Sequence, residues 1–135
     1  MSKKAILCVD DEAIIVMSIK MELKSYFKDR FFFETALNAA EGLSIIDELC
    51  ADGVKLILVI SDWLMPGMKG DEFVAKVKER YPDIHTILVT GHAPKETIEQ
   101  ITNAHLISAV LQKPWNNREL ITTVERCIAT LPESA

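Results

Sequence analysis

Five short apolar runs recur along the chain, and between them apolar positions fall at helical intervals. Ala5-Ile6-Leu7-Cys8-Val9 is apolar at every position and ends on Asp10-Asp11-Glu12. A continuous run of that length suits a strand covered on both faces. From Ala13 the period changes: Val16, Ile19, Leu23 and Tyr26 form a helical stripe. Residues 31–36, led by three phenylalanines and containing Thr35, predict a second strand. Ala39, Leu43, Ile46 and Cys50 form a second helical stripe, and Gly53 closes it with a residue that tolerates positive φ.

The third run, residues 56–60, stops abruptly before Ser61-Asp62, and a loop punctuated by Pro66, Gly67 and Gly70 follows. Phe73, Val77 and Tyr81 set a helix that must stop at Pro82, because a residue before proline avoids the helical region. Residues 84–90 predict a fourth strand, and 94–103 a weaker fourth helix with little apolar surface beyond Ile98 and Ile101. Residues 106–111 predict a fifth strand, ending at Gln112-Lys113-Pro114. Leu120, Val124, Cys127 and Leu131 mark the last helix. Strands alternating with helices predict an α/β fold: a doubly wound parallel sheet with right-handed crossovers. With no internal repeat, low-complexity tract or linker, one domain is expected over residues 4–130, with 131–135 as a frayed end.

Composition narrows the function classes. The 135 residues, 49% hydrophobic and 26% charged, suit one globular domain rather than a disordered chain. A net charge of −5 argues against nucleic acid as a partner, which needs clustered Lys and Arg. No apolar run approaches the ~20 residues of a membrane span. The N-terminal run breaks into acids too early for a signal peptide, so a cytoplasmic location and no membrane partner are expected. Cys8, Cys50 and Cys127 contain no CxxC pair and read as buried, reduced thiols. His85, His92 and His105 are too dispersed to suggest a shared metal site.

The chemistry concentrates at strand ends. Strand one delivers Asp10 and Asp11, strand three Asp62, strand four Thr90 and strand five Lys113. In a parallel sheet these emerge at one edge, where ligands of open α/β sheets bind. Carboxylates brought together repel unless a cation neutralises them. Oxygen ligands without His or Cys select a hard cation, and Mg²⁺ fits best. A carboxylate nucleophile, a divalent cation, a lysine and a hydroxyl together suit phosphoryl transfer, with Asp62 attacking phosphorus to give an acyl phosphate. Taken singly, each residue has an ordinary reading. Asp62 could cap a helix or sit in a turn, and Asp10-Asp11-Glu12 could charge the first turn of a helix. Lys113 could be a solvated surface lysine and Thr90 a plain β-former. Their conjunction carries the functional reading.

From about Lys4 to Ile128 the chain resembles the receiver domain of two-component response regulators, the CheY-like family. Asp10-Asp11 matches the family's acidic pair, and Asp62-x-x-Met65-Pro66-x-Met68-x-Gly70 the segment around its phospho-acceptor. Thr90-Gly91 matches its switch hydroxyl, and Lys113-Pro114 its lysine on a cis peptide. The resemblance implies a flavodoxin-like (βα)5 sheet of order 2-1-3-4-5. It also implies phosphorylation of Asp62 by a histidine kinase or histidine phosphotransfer protein. Asp11, Asp62 and the backbone carbonyl of Leu64 would bind Mg²⁺ directly, with Asp10 assisting partly through water. Such a protein is a signalling module, not a turnover enzyme, although it can dephosphorylate itself.

Two departures stand out. Where the family carries Tyr or Phe three residues before the lysine, this chain has Val110, so a muted or rerouted switch is expected. Trp115 replaces the more usual Phe after Pro114 and adds an indole N–H. By the same resemblance Leu64 and His92 would flank the path of attacking water, and a leucine cannot orient one, so slow self-dephosphorylation is expected. Trp63 is expected partly exposed beside the acceptor. Ile98, Ile101 and Val110 suggest a modest apolar patch on the fourth helix, fifth strand and fifth helix, which is either ordinary surface or, in the favoured reading, a dimer or effector contact. Two rivals remain: a receiver-like scaffold that is never phosphorylated, and an aspartyl-phosphate phosphohydrolase of the haloacid-dehalogenase kind. The latter expects Asp-x-Asp on its first strand and a cap, neither of which this chain offers.

Overall fold

The computed structural model describes residues 4–63, 67–68, 70–91, 96, 99 and 107–129. Five strands, β1 (Lys4–Val9), β2 (Phe32–Ala36), β3 (Lys55–Asp62), β4 (His85–Thr90) and β5 (Ala109–Gln112), form one sheet. All pairings are parallel, in the order β2-β1-β3-β4-β5. Helices α1 (Ala13–Phe27), α2 (Ala39–Ala51) and α3 (Gly70–Arg80) and a C-terminal helix (Asn117–Ala129) accompany it. Of the predicted fourth helix only Glu96 and Glu99 are described, and both are helical. The expected strand order 2-1-3-4-5 is the observed one, and the rest of the expected fourth helix lies outside the described residues.

The apolar runs sort their side chains to alternate faces, as the pleat requires. Ile6, Cys8, Leu58, Ile60, Ile87 and Val89 meet α1 and the C-terminal helix through Val16, Ile19, Leu23, Leu120 and Val124. Leu7, Val9 and Val59 meet α2 and α3 through Ala39, Ile46, Phe73 and Val77. Register then aligns the strand ends. Val9 pairs with Ala36 and Ser61, Asp62 with Val89, and Thr90 with Gln112. Residues 10, 62, 90 and 113 consequently lie along one carboxyl edge.

Several expectations need correction. The α1 stripe ends on Phe27, which is buried, while Tyr26 is exposed. Phe27 packs edge-on against Phe31, with ring centroids 5.4 Å apart, and lies on the same buried face as Val16, Ile19 and Leu23. On α2 the inward positions are Ala39, Gly42, Ile46 and Leu49, so Cys50 is exposed rather than buried. Gly42 carries no apolar side chain to reveal its inward position, yet it lets the Phe73 ring approach closely. Cys8 and Cys127 are buried as expected. Strand β3 runs two residues further than predicted, through Asp62 itself, and β5 begins later, at Ala109.

Candidate functional site: an acidic cluster held by a lysine

Asp10 follows β1 directly and is almost fully buried. Its Oδ1 accepts the Glu12 N–H at 2.9 Å, fixing the turn into α1, and its Oδ2 accepts from Lys113 Nζ at 3.2 Å. The backbone N–H of Asp10 donates to the Ala36 carbonyl at 3.2 Å, so the residue is held from three sides. Asp11 is exposed. Asp62, the last residue of β3, is buried to 6% exposure and pairs with Lys113 Nζ at 3.1 Å. Carboxylate oxygens of Asp10, Asp11 and Asp62 lie within 4.8 Å of one another. Lys113 thus bridges two buried acids while Asp11 faces solvent. The peptide between Lys113 and Pro114 is cis, and the Lys113 N–H donates to the Thr90 carbonyl at 2.9 Å.

Charge and burial oppose each other here. Burial pushes the Asp10 carboxyl above the ordinary range; the Glu12 N–H opposes the rise and the Asp62 charge adds to it. Asp62 is likewise raised, first by burial and then by Asp11, against the pull of Lys113. Burial draws the Lys113 ammonium down, but its hydrogen bonds to Asp62 and Asp10 outweigh this and hold it above its usual value. Three carboxylates and one ammonium leave an excess of negative charge in a partly dry pocket. A further cation would relieve that excess, and the all-oxygen donor set suits a hard one.

The structure brings together Asp10, Asp11, Asp62 and Lys113, and sets Thr90, buried, at the neighbouring strand end. Leu64, Met65, Pro66, His92, Ile98, Ile101 and His105 lie outside the described residues. Trp63 corrects an expectation: it is buried, not partly exposed. Its N–H continues the β3–β4 ladder to the Val89 carbonyl at 3.0 Å, and its indole packs with Val74, Leu88 and Ile107. Val110 is half-buried against the same group. The indole N–H of Trp115 donates to Glu22 Oε2 at 3.4 Å. The part of Glu22 was not legible in the sequence, because its partners lie more than ninety residues away and no local motif marks them.

Residues 6–125 match the response regulator receiver domain family. The chain belongs to that family. It is 32% identical over 123 residues to the hydrogenase transcriptional regulatory protein HoxA of Cupriavidus necator, covering 91% of this chain and 24% of that protein. It is 29% identical over 123 residues to the sensor kinase CckA of Brucella abortus, covering 91% of this chain and 12% of that protein. The chain therefore spans a quarter or less of these two relatives. Its fold overlays a response regulator receiver domain protein (CheY-like) from Methanospirillum hungatei with a TM-score of 0.80 and 30% identity. That overlay covers 96% of this chain and 95% of the other. This receiver domain is accordingly a signalling domain suited to accept a phosphoryl group. Among the described residues no helix is long and apolar enough to cross a membrane.

Proposed function

We propose that this receiver domain, residues 4–130, takes a phosphoryl group on Asp62 from a histidine kinase or histidine phosphotransfer protein and thereby changes its affinity for an effector. The observation that carries this reading is the Lys113 ammonium set 3.1 Å from Asp62 and 3.2 Å from Asp10 beside a third carboxylate. Asp62 would attack phosphorus with one carboxylate oxygen, forming the O–P bond as the donor's P–N bond breaks. Lys113 and the Thr90 hydroxyl would receive the phosphoryl oxygens, the lysine leaving its contact with Asp62 to do so. Asp11, Asp62 and the Leu64 carbonyl, with Asp10 assisting, would hold Mg²⁺, which when bound supplies charge neutralisation between nucleophile and phosphoryl group.

The reaction adds one phosphoryl group per chain rather than turning over a substrate, and a cytoplasmic setting supplies both donor and Mg²⁺. Val110, too small to act as a swinging aromatic, favours a muted or rerouted response, and Leu64 favours slow self-dephosphorylation. An effector or a second copy would meet the domain beside β5 and the C-terminal helix, where Val110 is half-buried. Incubation with acetyl phosphate and Mg²⁺, followed by intact mass, tests the central step. One added phosphoryl group is expected, absent in Asp62→Asn; retention of the group in that variant would refute the assignment.

A further inference from the structure

The loop that carries Lys113 is tied down by a residue of α1. Glu22, half-buried, accepts the Trp115 indole N–H on Oε2 at 3.4 Å and the Asn117 side-chain amide on Oε1 at 3.0 Å. The Ser18 hydroxyl, one turn earlier on α1, also donates to Oε2, at 3.3 Å. Between these two anchors Asn116 closes the start of the C-terminal helix. Its Oδ1 accepts the Glu119 N–H at 2.8 Å and its amide donates to the Glu119 carboxylate at 2.8 Å. Trp115, Asn116 and Asn117 are thus each fixed by a side-chain bond, immediately after the lysine that spans Asp10 and Asp62.

We propose that Glu22 is a positioning residue for Lys113: by clamping Trp115 and Asn117 to α1 it holds the ammonium over the acidic cluster. The clamp closes a loop of structure. Helix α1 starts three residues after Asp10, whose carboxylate Lys113 contacts, and the same helix grips the chain two and four residues beyond Lys113. The acid and the ammonium are therefore referenced to one rigid element. Removing Glu22 releases the polar ends of the Trp115 and Asn117 side chains while leaving all three carboxylates in place. Lys113 then samples positions away from Asp62, and phosphoryl uptake slows without loss of the metal-binding oxygens.

This inference rests on the phospho-acceptor reading for its functional consequence, and the test separates the two. Uptake from acetyl phosphate is measured for the native protein, Glu22→Ala and Glu22→Gln, with Mg²⁺ affinity by calorimetry and each pair repeated in a Lys113→Ala background. Glu22→Ala is expected to slow uptake by roughly 5- to 50-fold, short of the ~100-fold that an ångström of misplacement can bring. Mg²⁺ affinity is expected to stay unchanged, and Glu22→Gln, which keeps one acceptor, to fall between. In the Lys113→Ala background the Glu22→Ala effect should vanish, as coupled sites are non-additive.

Native-like uptake in Glu22→Ala, a parallel fall in Mg²⁺ affinity, or an undiminished effect without Lys113 would overturn the clamp. Acylation of lysines by a succinimidyl ester, mapped by peptide mass spectrometry, reads the clamp without phosphate. Lys113 should react severalfold faster in Glu22→Ala, with Lys55 and Lys76 unchanged. If the native protein takes up no phosphoryl group, the acceptor reading fails. Faster Lys113 labelling would then still support the clamp, and unchanged labelling would overturn it.

Discussion

Lys113 touches Asp10 and Asp62 at nearly equal distances, so neither acid owns it, and a phosphoryl group on Asp62 would compete for the same ammonium. Asp10, Asp62 and Lys113 were legible in the sequence for a common reason: each stands at or just beyond the end of an apolar run, where polarity changes abruptly. The burial of Trp63 is not legible in the sequence because the apolar run stops at Ile60, whereas β3 continues through Asp62 and turns the next side chain inward. A different residue sets a pH response. Burial, reinforced by Lys78, holds His85 below its ordinary pKa, and its Nδ1 lies 2.9 Å from Ser108 Oγ. At His85 the folded state then binds fewer protons than the unfolded chain in the window below ~6.5, so its contribution to stability falls as pH drops through it. Urea denaturation at pH 7.5 and 5.5 should show a smaller loss on acidification for His85→Asn than for the native protein. An equal loss would remove His85 from the account.

At the level of elements, strand interiors were easier to read than helix faces. A solid apolar run names a buried strand whichever way each residue points, but a helix needs its rotation, and here tertiary contacts set it. Tyr26 and Phe27 are equally apolar in pattern; it is Phe27 that joins the buried cluster and meets Phe31 edge-on. On α2 the decisive residue is Gly42, where an added Cβ would meet Phe73 Cζ at 3.1 Å and Val9 Cγ2 at 3.3 Å. Phe73 is fully buried, and Val9 sits on β1 one residue before Asp10, so a shift of either disturbs packing beside the site. Alanine would gain ~1 kcal/mol of helix propensity but overpack this junction by ~2 kcal/mol. Gly42→Ala should therefore lose about 1 kcal/mol net in equilibrium unfolding. A stabilised variant would mean that α2 can move off the sheet.

Across the whole molecule, parallel register is what converts four distant segments into one site. Pairing of Val9 with Ser61, Asp62 with Val89 and Thr90 with Gln112 brings the strand ends level, and the crossover helices cover both faces. That arrangement was legible because strand and helix patterns alternate along the chain. Its cost is a set of mutually repelling acids at the edge, which a divalent cation would relieve. Mg²⁺ at about 100 times its dissociation constant should add ~2.7 kcal/mol, raising the melting temperature by roughly 10 °C over a chelator control. Most of that gain should disappear in Asp11→Ala, whose carboxylate is the exposed member of the cluster. Equal melting temperatures with and without Mg²⁺ would argue against a metal at this edge. The central claim is tested most directly by locating the acyl phosphate. After reaction with acetyl phosphate and Mg²⁺, borohydride reduction and peptide sequencing should find homoserine at position 62. Homoserine at position 10 or 11, or at no position, would contradict it.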